Sequence, residues 1–133
     1  MTPLNTHAFR LTPGQDLKKS IELFVDQQGI LAGWISTCVG SLTRCVIRFA
    51  NQPAYCKYEG YYEILSHSRT DSSNGSHLHI SVADQEGRSF GGHMGDGCEI
   101  YTTAEIVLLS STEFTFKREI DKQTGFNELC ITV

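Results

Sequence analysis

The residues of this chain best suited to chemistry are three histidines in two short segments, His77-Leu78-His79 and Gly91-Gly92-His93. Neutral imidazole is a ligand for zinc, copper, iron or nickel. Three protein donors with a fourth position left to water is the catalytic zinc arrangement, whereas structural zinc sites close with four. The competing reading is three polar side chains on a solvated face or at a contact between subunits, because H-x-H arises often by chance. The segment between the two sets decides whether they can meet. His77, His79, Ser81 and Ala83 alternate with Leu78, Ile80 and Val82, the period of a half-buried strand. Gln85-Glu86-Gly87 fits a three-residue hairpin loop with glycine in the left-handed position. That loop pairs Asp84 with Arg88 and sets Val82 against Phe90, Ile80 against Gly92, His79 against His93 and Leu78 against Met94. All three imidazoles then share one face, and the apolar residues share the other. A loop shorter by one would turn His93 toward the apolar set. Gly91, Gly92, Gly95 and Gly97 fit a strand approached closely by a ligand or by another backbone.

Other residues carry paired readings. Glu63 could accept a hydrogen bond from an imidazole N–H or act as the base on metal-bound water; otherwise it pairs with Arg10, Arg44 or Arg48. Cys98 could be a fourth ligand or a nucleophile, against a plain thiol. Asp96 could be a ligand, against a residue of a solvated loop. Glu105 sits in an apolar strand, where a buried carboxylate needs a partner, so a structural ion pair outweighs catalysis. Arg48 could bind an anionic ligand or stabilise a contact between subunits. Trp34 reads as core or interface.

The chain must also position these groups. Its 133 residues suffice for one domain, 1–133, with its own core. Asp16 or Thr12 can cap a helix carrying Leu17, Ile21, Phe24 and Val25 at helical spacing, which Gly29 ends. Strands are expected over His7–Leu11, Ile30–Val39, Thr43–Ala50, Tyr61–Ser68, Ala104–Leu109, Phe114–Ile120 and Asn127–Val133. Gly40-Ser41 should turn between the second and third of these, and Thr70–Ser76 should form a mobile loop beside the histidines. The pattern predicts an α+β fold: a mainly antiparallel β-sheet with one or two helices packed on it. No apolar run is long enough to span a membrane, and no signal-peptide layout opens the sequence, so the expected location is cytoplasmic. Five cysteines without a C-x-x-C pair read as thiols in a reducing compartment. The net charge of −4 and scattered Lys and Arg weigh against autonomous DNA binding. Lys117-Arg118 with Lys122 is the densest basic set, and acidic residues interrupt it.

The chain resembles the PPC (plants and prokaryotes conserved) domain family. The resemblance is carried by Arg10-Leu11-x-Pro13-Gly14-x-Asp16-Leu17, Gly40-Ser41-Leu42 with Arg48, Tyr62-Glu63-Ile64-Leu65-Ser66, His77-Leu78-His79 with Ala83-Asp84-x-x-Gly87, Gly91-Gly92-His93, and Thr103-Ala104-Glu105-Ile106-Val107. These run in the family's order over about residues 7 to 109. The resemblance implies a homotrimer whose His77, His79 and His93 form a zinc-type site. The family's DNA-binding label belongs largely to plant members with an AT-hook, an element missing here. A departure occurs at Ser66-His67-Ser68-Arg69-Thr70, where His67 and Arg69 could alter the pocket or its ligand. Two function classes follow. One is a small-molecule-binding protein or enzyme acting through a His-bound metal; the other is a DNA-associated or protein-interaction module with at most a structural metal.

Overall fold

Alternating apolar and polar residues make strands over most of the chain. The computed structural model, which describes residues 3–133, places β1 over Leu4–Leu11, α1 over Leu17–Gln27, β2 over Ala32–Arg48, β3 over Cys56–Ser72, β4 over Gly75–Ala83, β5 over Ser89–Met94, β6 over Ile100–Ser111, β7 over Thr115–Ile120 and β8 over Asn127–Thr132. The main sheet has the order β1-β6-β2-β3-β4-β5, and β5 also pairs with the end of β2. The last contact closes β2, β3, β4 and β5 into a ring. Every pairing is antiparallel. β7 and β8 form a separate ribbon.

Among the described residues a single helix packs on the sheet, at the lower end of the one or two expected. Asp16 caps it: one carboxylate oxygen accepts the Lys19 N–H at 2.9 Å, and the other accepts the Gly97 N–H at 2.7 Å, tying the helix start to the segment after β5. Leu17, Ile21 and Val25 form its buried stripe. Gly29, at φ 64°, ends it with two crossed bonds, Gly29 N–H to Asp26 O and Ile30 N–H to Val25 O. The stripe meets a core that includes Leu78, Ile80, Val82, Met94, Ile106 and Leu108. Each such side chain contributes about 1.5–3 kcal/mol on burial. Because side chains alternate along β4, burying Leu78, Ile80 and Val82 sends His77 and His79 to the opposite face.

Two expectations are corrected. Gly40-Ser41 makes no turn; β2 runs unbroken for 17 residues. The glycine serves close packing instead, since a Cβ at Gly40 would lie 2.1 Å from the Thr103 carbonyl oxygen on β6. Thr70–Ser76 is not a mobile loop. Thr70, Asp71 and Ser72 pair with His77, Ser76 and Gly75 across a tight turn. That turn is backed by β7, whose Phe116 carbonyl accepts the Ser73 N–H at 2.8 Å, so its polar groups are satisfied by protein rather than by water.

β2 and β3 separate between the Trp34–Thr70 and Gly40–Ile64 pairs. On the inner side of β3 here, His67, Arg69 and Asp71 are buried. Arg69 Nε donates to Asp71 Oδ1 at 2.7 Å, while both His67 ring nitrogens lack partners. The departure noted at His67 and Arg69 therefore enters the core, on the face away from the three histidines.

Candidate metal centre

The hairpin that carries the histidines has the register its alternation predicts. Asp84 N–H donates to Arg88 O at 2.9 Å, Gly87 N–H donates to Asp84 O at 3.0 Å, and Gly87 takes φ 79°. The Asp84 side chain accepts the Glu86 and Arg88 N–H groups at 2.9 Å each, which rigidifies the loop. His79 then lies opposite His93, Ile80 opposite Gly92 and Val82 opposite Phe90. Met94 departs from the expected pairing with Leu78 and lies opposite Ile47 of β2.

The ring closure extends this row. Ser68 on β3 is opposite His79, and Arg48 on β2 is opposite His93. Four strands thus present Ser68, His79, His93 and Arg48 in line. His77 lies one step along the same face, opposite Thr70. Gly92 permits the closure, since a Cβ there would stand 2.6 Å from the Arg48 carbonyl oxygen. At Gly91 and Gly92 the close approach anticipated for the glycines is made by backbone, whereas Gly95 and Gly97 are approached by the side chains of Tyr55 and Val46.

The structure brings the three imidazoles together. One donor atom from each lies within 4.8 Å of the others, and the ring centroids are 4.8 to 5.9 Å apart. Tetrahedral coordination at about 2.0–2.1 Å needs donors roughly 3.3 Å apart. His77 and His79 are exposed and His93 half-buried, so side-chain rotation can close that difference. The donor set suits zinc or a related transition metal. Burial and the Arg48 guanidinium, with the neighbouring imidazoles, hold His93 down at about 4. Burial, then His79, Arg118 and Arg48, also lower His77, opposed by Glu128. At neutral pH both rings are neutral, the form that binds metal.

Two clefts meet at these side chains. One, of about 530 Å³, reaches past Ser81 to Ser66 and Ser68. The other, of about 610 Å³, runs toward the β7–β8 ribbon and takes in Asn74, Arg118 and Glu128. Arg48, Asn51, His77 and His93 border both. Asn51 holds a left-handed backbone, φ 55°, which asparagine tolerates better than most residues.

Other sequence candidates lie elsewhere. Glu63 is exposed and opposite Ala83, four residues along β4 from His79. At about 3.3 Å per residue that is roughly 13 Å, so the structure does not bring Glu63 to the imidazoles. Nor does it pair with an arginine: Arg44 binds Glu59 and Glu99, and Arg10 binds Thr103. Cys98 is fully buried in the core, with its thiol pushed up to about 11 by burial, and its sulfur accepts the Val46 N–H at 3.3 Å. It neither reaches the cluster nor has the low pKa of a nucleophile. Asp96 pairs with Lys18 at 2.9 Å. Glu105 is exposed, not buried, and lies opposite Arg10 on the outer face of the sheet. Sequence reasoning missed Ser68, Asn51, Asn74 and Arg118 as neighbours of the histidines. Arg118 reaches Thr70 across 48 positions, a contact that no local spacing signals.

Comparison with known proteins agrees with this architecture. The family model of the Plants and Prokaryotes Conserved (PCC) domain matches residues 1–112. The bifunctional protein GlmU of Synechococcus sp. (strain JA-3-3Ab) is 46% identical over 128 residues, which are 96% of this chain and 21% of that protein. The chain thus spans about a fifth of the length of the curated relatives it matches. A hypothetical protein of Salmonella cholerae-suis superposes with a TM-score of 0.96 at 37% identity, over 99% of this chain and 96% of that one. A metal-containing protein of Archaeoglobus fulgidus superposes with a TM-score of 0.83 at 28% identity, over 98% of this chain and 96% of the other.

Proposed function

The chain belongs to the Plants and Prokaryotes Conserved domain family, and we propose that it acts as one such domain, residues 1–133, binding a small molecule at a zinc-type ion held by His77, His79 and His93. The observation that carries this reading is the convergence of three imidazole donors within 4.8 Å of one another beside two clefts. The likeness to a metal-containing protein at 28% identity supports it. Three ligands leave a position open for a water or a substrate oxygen. When bound, such an ion polarises that oxygen or lowers the pKa of bound water toward roughly 7. The chain's own residues orient the small molecule: Ser68 and Arg48 flank the histidine row, and Asn51 borders both clefts. Glu63 takes no part in this reading, because its position along the strands keeps it from the imidazoles.

Self-association as a homotrimer belongs to the same proposal. The outer face of the sheet, away from α1, leaves Val39 58% and Leu65 55% exposed, and covering them with a second copy removes apolar surface from water. The test uses protein purified without an affinity tag, equilibrated with zinc and dialysed, with metal content and sedimentation mass read on the wild type and on His79→Ala. About one ion per chain in a trimer, with the ion lost and the trimer kept in the variant, is the expected result. Absence of bound zinc from the wild type overturns the metal centre. A variant that loses its trimer along with its ion favours an interaction module with a structural metal.

A further inference from the structure

The larger cleft is walled by a ribbon that follows the residues matched by the family model. The turn between β3 and β4 locks that ribbon in place. Asn74 Nδ2 donates to Arg118 O at 2.9 Å, and Asn74 Oδ1 accepts the Arg118 N–H at 2.7 Å. Ser73 is bonded to Phe116 through both its N–H and its hydroxyl. Arg118 is thereby held against the end of β3 that lies beside His77. Its Nη2 donates to Thr70 Oγ1 at 2.7 Å, and Thr70 is the cross-strand neighbour of His77. Its Nε is enclosed and has no partner. Arg48 stands beside His93, and Gln52 O accepts from its Nη1 at 3.2 Å.

Both guanidinium groups therefore border one cavity of about 610 Å³ together with His77 and His93. The cavity's one carboxylate, Glu128, accepts the Thr124 hydroxyl at 3.0 Å. Two cations against one acid favour an anion, and the planar guanidinium matches carboxylate or phosphate oxygens with paired donors. The volume suits a small molecule.

We propose that this cleft takes a small molecule bearing an acid group, a carboxylate or a phosphate, held between Arg48 and Arg118 with an adjoining oxygen directed at the three histidines. The direction of that oxygen rests on the metal reading above; the grip on the acid group does not. Arg118 lies on β7, after the residues matched by the family model.

The test titrates full-length protein, stripped of metal and separately zinc-loaded, with acetate, with methylphosphonate and with neutral acetamide, by calorimetry. One of the two acids binds both forms, acetamide binds neither, and the acid that binds names the group. Arg118→Gln and Arg48→Gln each weaken binding about tenfold or more, the loss expected for a charge-assisted hydrogen bond. Arg118→Lys restores only part. Thermal melting and zinc stoichiometry of each variant check that it is folded. Zinc uptake with no acid binding overturns the proposal and leaves the metal centre intact. Acid binding unchanged in both arginine variants also overturns it, since the ion alone would then hold the anion. Arginine-dependent acid binding by a protein that takes up no zinc supports it and refutes the metal centre.

Discussion

His67 shows how strongly one residue's surroundings set its chemistry. It is one of five histidines, yet it lies inside the core with both ring nitrogens unpartnered. Burial, then the neighbouring Arg69, pushes its pKa down to about 3. The unfolded chain takes a proton near pH 6.5 and the folded chain does not, so stability is lost as pH falls from about 6.5 toward 3 and is fully present above that window. A single such group gives a slope of at most about 1.4 kcal/mol per pH unit. His77 and His93 are lowered too and act with the same sign. Asp71, raised by burial, acts with the opposite sign. Replacing His67 isolates its share. His67→Leu should raise stability at pH 7 by about 1–3 kcal/mol, because an unsatisfied polar group leaves the interior, and should flatten the acid loss. Denaturant melts at pH 5 and pH 7 read both effects, and a variant less stable at both values would contradict this account of His67. At the same scale, the three metal-type histidines were legible because strand alternation and one glycine turn settle which way a side chain points. His67 was not, since its parity depends on a register shift between Ile64 and Ser66 that no residue type announces.

At the scale of elements, α1 and the turn end of the β4–β5 hairpin, from His79 and His93 inward, were readable: caps, apolar period and turn residues agree locally. Gly40 was misread because a glycine needed for close approach looks, in sequence, like a glycine needed for a turn. The distinction has a measurable consequence. Gly40→Ala sets a methyl group against the Thr103 carbonyl, forcing β2 and β6 apart along the middle of the sheet. We expect a loss of about 3 kcal/mol or more, above the usual overpacking range because backbone cannot step aside. An unaltered melting temperature would contradict the close packing. The β3–β4 turn was mistaken for a mobile loop for a related reason. Its Ser73 and Asn74 bond to β7, far along the chain, and a polar segment satisfied by distant protein cannot be told from one satisfied by water.

For the whole molecule, composition bounded the answer without identifying it. Among the described residues no helix is long and apolar enough to cross a membrane. The net charge is −4, and the basic residues near the histidines are enclosed in a cleft rather than spread over a face. Duplex DNA binding releases counterions in proportion to the phosphates neutralised, which requires an extended basic surface. Titration with random duplex at physiological ionic strength should therefore show no salt-dependent binding; a clear decline of affinity with salt would reinstate a DNA-associated role. The fold class followed from strand patterning, whereas the closed ring of β2 to β5 did not, because the pairing of Arg48 with His93 joins segments 45 positions apart. That closure gives the histidine row its arginine, and with it the chemistry proposed for the clefts.

The most direct measurement is an anomalous-difference map, at the zinc absorption edge, from crystals of untagged protein equilibrated with zinc. The account predicts one peak per chain, about 2.0–2.1 Å from a nitrogen of each of His77, His79 and His93. No peak there, with the three rings apart and zinc available in solution, would contradict it.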